Sequence, residues 1–124
     1  MLKEIVVNFL TEDDITKIHQ YIIKVYGGAD GVINENLIGS IVYSTQYYNN
    51  VLDIASSYFF KIIKDHIFRD GDKRTACASL ALFLKLNNKK LTMTCDELYE
   101  ITIKVAENKI LESELKLELL SKII

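Results

Sequence analysis

The chain has 124 residues, 49% hydrophobic and 26% charged, with a formal net charge of -2. That is one ordinary globular domain, large enough to bury a core without disulfide or metal staples. It lacks the basic excess of a general nucleic-acid binder, and no apolar run approaches the roughly 18–20 residues of a membrane span. The two cysteines, Cys77 and Cys95, form no CxxC pair and no metal-ligand spacing, as expected of free thiols in a reducing cytoplasm. A short apolar run at the N-terminus, without a long hydrophobic region or cleavage site, reads as no leader. Residues 1–124 are therefore expected to form a single cytoplasmic domain with no membrane or direct nucleic-acid partner.

Proline is absent, so glycine and asparagine punctuate the chain. A strand is possible near Glu4–Asn8. "TEDDITKIHQYIIKVY" places Ile15, Ile18, Ile22 and Val25 at helical spacing, with Thr11 and Asp14 as a capping box. Gly27-Gly28 ends this helix, and "GGADGVINEN" reads as a loop. A second helix is predicted over about Asn36–Tyr48, with Leu37, Ile38, Ile41 and Val42 inward. A third is predicted over about Leu52–Ile67, presenting Ile54, Ala55, Tyr58, Phe59, Ile62 and Ile63. Tyr43, Tyr47, Tyr48 and Tyr58 read as core or interface residues.

"RDGD" interrupts the pattern, and "KRTACASLALFLKLN" resumes it with Ala76, Leu80, Phe83 and Leu84 on one side. Apolar nearly all round, this fourth helix is expected at the centre of the fold. "NNKKLTMT" reads as a turn with a short extended piece. Thr94 and Glu97 form a second capping box, opening a helix through about Glu107. Ser113 is the expected cap of a last helix that reaches the C-terminus. The sum is an all-α domain of six helices.

The stretch "HIFRDGDKR", His66–Arg74, concentrates polar chemistry between the third and fourth helices. Gly71 can take a positive φ and let backbone approach a ligand. The first turn of the fourth helix offers unpaired N–H groups and the positive end of the helix dipole. Lys73 and Arg74 add positive charge where a helix start ordinarily favours acids, which points to an anionic ligand. Arg74 can grip phosphate oxygens bidentately. Asp70 and Asp72 are the nearby carboxylates for a Mg²⁺ ion carried by a nucleotide. His66 suits a general base near neutral pH. Phe68, apolar among polar neighbours, reads as the anchor that pins the turn to the core. Together these residues outline a phosphoryl- or nucleotidyl-transfer site whose acceptor is a hydroxyl.

"HIFRDGDKRTA" resembles the HxFx(D/N)(A/G)NKR signature of the death-on-curing (Doc) branch of the Fic superfamily. The similarity extends to "IHQYIIKVYGGADGVINENLI", to "ALFLKLNNKKL" and to "ELYEITIKVAENKILESELKLELL", and so covers about residues 10–122. It implies a compact helical Fic/Doc-like fold, with His66 as catalytic base, Asp70 as Mg²⁺ ligand, Phe68 as anchor, and Gly71, Asp72, Lys73 and Arg74 around the nucleotide phosphates. Fic proteins proper carry glycine at position 73 and arginine at position 77. Lys73 and Cys77 here match the Doc-like members. That branch implies transfer of phosphate from ATP to a protein Ser or Thr hydroxyl, with elongation factor Tu as the type of target and translation halted. It also implies a small antitoxin partner. AMP transfer by the same site is the alternative activity.

The inhibitory (S/T)xxxE(G/N) motif of Fic proteins is absent; "TIKVAEN" is one residue too long. One position departs from the signature: Asp72 stands where the family has asparagine. A carboxylate there either joins Mg²⁺ binding or weakens nucleotide binding, and in the second case marks an impaired nucleotide- or antitoxin-binding module. His19 coincides with a family histidine and reads as a structural hydrogen-bonding residue rather than a catalytic one. The loop Gly27–Asn36 lies where the family carries a substrate-aligning flap.

Overall fold

Local capping sets most helix starts. Thr11 Oγ1 accepts the Asp14 N–H at 3.1 Å while Asp14 accepts the Thr11 N–H at 2.8 Å, opening α1 (Glu12–Tyr26). Asn34 caps α2 (Glu35–Thr45), and Asn50 caps α3 (Val51–Lys64) through the Asp53 N–H at 2.9 Å. Gly71 precedes α4 (Asp72–Leu86) and leaves its first turn without a side-chain cap. Thr94 and Glu97 form the reciprocal box that opens α5 (Cys95–Ala106). The last helix, α6, spans Glu112–Leu120. This computed structural model describes residues 6–124, and the six helices are the architecture of an all-α domain.

The α3–α4 pair forms the centre. α3 also packs against α2, α5 and α6, and α4 against α1 and α5. Six consecutive residues of α3, Ile54–Phe59, are buried, so this helix shares the central place expected for α4 alone. Tyr58, Phe59, Ile62, Leu80 and Phe83 fill the core. Small residues on the two helices, among them Ser56, Ser57, Ala76 and Ser79, are also fully buried. Among helices, side chains of this size permit close approach of the backbones.

Several boundaries differ from the expectation. The possible strand at Glu4–Asn8 falls partly outside the described residues; Val6–Asn8 is irregular backbone. Asn8 is instead clamped to the end of α4, exchanging hydrogen bonds with Asn87 and Leu86. α2 stops at Thr45 rather than Tyr48. α3 stops at Lys64 rather than Ile67, because His66 adopts a left-handed φ of 46° that a helix cannot contain. Val25 is exposed; the buried face of α1 is Ile15, His19 and Ile22. Ser113 lies inside α6, whose cap position is Leu111, with the Leu111 N–H donating to Glu114 Oε1 at 2.9 Å. The last helix also stops short of the C-terminus. Residues 122–124 pair antiparallel with Lys90–Thr92, the piece expected to be extended.

Tyr58 is a core residue, and Tyr48 packs half-buried against the core. Tyr43 and Tyr47 are not: both are exposed, edge-to-face at 5.6 Å on one side of α2. Among the described residues no helix is long and apolar enough to cross a membrane.

Candidate active site

The segment that follows α3 is fixed to the fold by its apolar members. Ile67 and Phe68 are fully buried between exposed neighbours. Phe68 pairs with Val32 in an isolated antiparallel bridge, flanked by Ile33 N–H to Ile67 O at 2.7 Å and Arg69 N–H to Gly31 O at 3.1 Å. The loop between α1 and α2 is thereby sewn to the polar segment. The Phe68 ring stacks on His19, centroids 3.7 Å apart. His19 Nε2–H donates to the Asp70 carbonyl at 2.7 Å, since a carbonyl can only accept.

Asp70 is exposed, and its Oδ2 accepts the Ala29 N–H at 2.7 Å. Gly28 permits this contact: a Cβ there would lie 3.1 Å from Asp70 Cβ, and its φ is 109°. Asp70 Oδ1 has no protein partner among the described residues. One carboxylate oriented by a backbone N–H suits a Mg²⁺ ion that shares its remaining sites with phosphate oxygens and water. No group of three or more His, Cys, Asp or Glu side chains placed to hold a metal occurs among the described residues, so a fully protein-built cage is not what the site offers.

Gly71, at φ 88°, turns the chain into α4 against Ile22 and Ile23 of α1. Asp72 then folds back. Its Oδ1 accepts the Phe68 N–H at 3.0 Å and its Oδ2 meets His66 Nδ1 at 2.6 Å. The Asp72 carboxyl is buried, which pushes its pKa up from the ordinary value; the Phe68 N–H and His66 act in the opposite direction. His66, by contrast, keeps about two thirds of its side chain exposed (65%). Lys73 is half-buried. The Arg74 guanidinium lies 4.4 Å from the Tyr26 ring centre and 5.7 Å from that of Tyr99, a cation held between two aromatic rings.

These groups line one open pocket of ≈ 470 Å³, which contains His66, Asp70, Gly71, Asp72, Lys73 and Arg74 together with Arg69, Tyr99 and Asn108. All the polar residues singled out in the motif therefore border one space, while Phe68 lies beneath it. Tyr26, Tyr99 and Asn108 carry no local signal. Tyr99 and Asn108 come from α5 and from the left-handed residue just after it, Tyr26 comes from the end of α1 and touches the site only through Arg74, and only the packing of those helices gathers them. A second, more apolar groove of ≈ 570 Å³ adjoins Arg74 and contains Cys77 and Cys95. Both are free thiols, and burial raises the Cys77 thiol to about 12, which leaves it protonated and inert near neutral pH.

The arrangement offers an imidazole, a carboxylate, two cations and the open first turn of a helix around one cleft. An anion-carrying substrate and a nucleophile that must lose a proton both find partners there. The chain is 27% identical over 107 residues, 82% of its length, to "Protein kinase doc" of Escherichia phage P1, of which the match covers 84%. The profile of the Fic/DOC family matches residues 9–84, a span that runs from just before the N-terminal cap of α1 through the polar motif almost to the end of α4, and the chain belongs to that family.

Proposed function

We propose that this protein is the toxin of a toxin–antitoxin pair, transferring the γ-phosphate of ATP to a Ser or Thr hydroxyl of a protein target, elongation factor Tu. The observation that carries the reading is the gathering of His66, Asp70, Lys73 and Arg74 around one cleft at the start of α4. The kinase named among its relatives supports phosphate transfer over nucleotide transfer, as do Lys73 and Cys77, where Fic proteins proper carry glycine and arginine.

In this reading the ATP phosphates lie against the uncapped N–H groups of α4. Lys73 neutralises charge as a point cation, and Arg74 presents its planar fork to two phosphate oxygens. Tyr26 and Tyr99 hold that fork in place before substrate arrives. A Mg²⁺ ion held by Asp70 would screen phosphate charge and orient the oxygens. His66 Nε2 takes the proton of the acceptor hydroxyl. The hydroxyl oxygen bonds to the γ-phosphorus as the bond to the β–γ bridging oxygen breaks. ADP leaves with that electron pair. The loop tied to residues 67–69 touches Asp70 through the Ala29 N–H, and in this reading it aligns the target chain.

Intact-mass measurement of elongation factor Tu after incubation with the protein and ATP-Mg²⁺ tests this. A gain of one phosphate with the wild type, and none with His66→Ala, is expected. No gain with the wild type, or an equal gain with His66→Ala, overturns it. A gain of one AMP assigns the site to nucleotidyl transfer instead. Growth arrest on expression, relieved by a small protein encoded beside the gene, is the expected cellular counterpart.

A further inference from the structure

We propose that Asp72 is the positioning residue of His66: its carboxylate accepts the Nδ1 proton, fixes the imidazole tautomer and leaves the lone pair on Nε2. The inference rests on His66 being the base of the proposed reaction.

Three observations carry it. The first is the 2.6 Å contact between His66 Nδ1 and Asp72 Oδ2. A carboxylate has no proton to give in its ionised form, so the shared proton resides on nitrogen and Nδ1 is the donor. Among the described residues no protein group bonds Nε2, which is the nitrogen left to act on a substrate. The second is that the carboxylate is itself held. Oδ1 accepts the Phe68 N–H at 3.0 Å, and Phe68 is fully buried and stacked on His19. Asp72 is 8% exposed. Its two oxygens thus point into the polar turn, at the imidazole and at the backbone, and the orientation of the core is passed to an exposed ring. The third is the left-handed backbone at His66, φ 46°, which lies immediately past the end of α3. It swings the side chain back toward α4, and the carboxylate is what meets it there.

The chemical difference from an amide follows directly. Asparagine at position 72 has one acceptor oxygen and one NH₂ donor. With its oxygen on the Phe68 N–H, the NH₂ group faces Nδ1 and requires a lone pair there. An amide held in this way cannot accept the Nδ1 proton, so only the carboxylate fixes the tautomer through this contact. Both Asp72 oxygens are engaged within the turn, one by the Phe68 N–H and one by His66 Nδ1.

Long-range ¹H–¹⁵N correlation spectra of the full chain, labelled with ¹⁵N and recorded at about pH 8 where an ordinary imidazole is neutral, read the tautomer directly. The chain has two histidines, so His66→Gln identifies the His66 signals. The wild type is expected to show Nδ1–H with a pyridine-like Nε2. Asp72→Asn is expected to lose the dominance of the Nδ1–H form. A wild-type spectrum dominated by Nε2–H overturns the proposal, and needs no variant. So does an Asp72→Asn spectrum identical to the wild type. If no protein is phosphorylated by the wild type, the functional reading fails, while the spectra still decide the Asp72–His66 pair by themselves.

Discussion

The His19 ring lies flat on the Phe68 ring, with centroids 3.7 Å apart and planes within 5°, and its Nε2–H holds the Asp70 carbonyl at 2.7 Å. One side chain of α1 therefore anchors both the buried and the exposed part of the polar turn. His19→Leu keeps an apolar contact but leaves a carbonyl without its donor. The expected loss of stability is about 1–3 kcal/mol. It is measured as a lowered urea midpoint with an unchanged m-value, and His19→Gln, which can still donate, should recover part of it.

Gly71 is the hinge into α4. Its φ of 88° strains any residue with a Cβ, and an added Cβ would sit 3.4 Å from both Ile22 Cγ2 and Ile23 Cδ1. Gly71→Ala should destabilise the fold by about 1–2 kcal/mol through backbone strain alone. Gly27→Ala is the comparison: its φ of 82° goes with a ψ of -173°, a region nearly closed to any residue but glycine, while nothing lies within 4 Å of the added carbon. Thermal melts should show the larger loss in Gly27→Ala. Only Gly71→Ala should also disturb ATP binding.

Asp53 near the start of α3 pairs with Lys116 of α6. The hydrogen bond from Lys116 holds the Asp53 carboxyl below its ordinary value of 3.8, against the opposing effect of burial. A depressed folded-state pKa adds stability that is present above the ordinary value and is lost as pH falls through the folded one. Lys116 is raised by the same bond, so its share is lost at the other end, as pH rises beyond 10.5. With 38% of the Lys116 side chain exposed, the pair contributes only about 0.2–1 kcal/mol at neutral pH. Lys116→Met should cost that much in chemical denaturation, and the gap to the wild type should close as pH drops below 3.8.

Arg74 is held between Tyr26 and Tyr99. If its role is to grip phosphate, Arg74→Lys loses both the planar fork and the stacking, and ATP affinity should fall about tenfold or more. Tyr26→Ala should weaken ATP binding by a smaller factor, raising KM with kcat nearly unchanged, since it acts on binding rather than on the proton transfer. Calorimetry with ATP-Mg²⁺ and steady-state kinetics check the two. Equal affinity in Arg74→Lys would contradict the assignment.

Where a structural feature closes within four residues, its sequence announces it. The Thr11–Asp14 and Thr94–Glu97 boxes start α1 and α5 where they were expected, because the partners are neighbours on the chain. Ser113 fails as a cap although its type is favoured. The burial of Ile110 and Leu115 on either side sets where α6 turns, and capping preference is the weaker force. The end of α3 is hidden for a related reason. Ile63 and Ile67 keep helical spacing across the break and are both buried, so periodicity passes through a residue whose backbone is left-handed.

The amino-acid sequence by itself determined six helices, a glycine-hinged polar turn before α4, and the residue types that a phosphate site needs, since each depends on short-range hydrogen bonds or a repeating face. Tertiary structure alone decided what those residues do to one another. His19 reaches Asp70 across 51 positions and Ala29 reaches it across 41; Tyr26 and Tyr99 close on Arg74 from two helices. Even Asp72 and His66, six residues apart, meet only because His66 leaves the helix with a positive φ. Such contacts are selected by packing of the whole core, and no local pattern encodes which of two carboxylates turns outward to the cleft and which turns back to the imidazole.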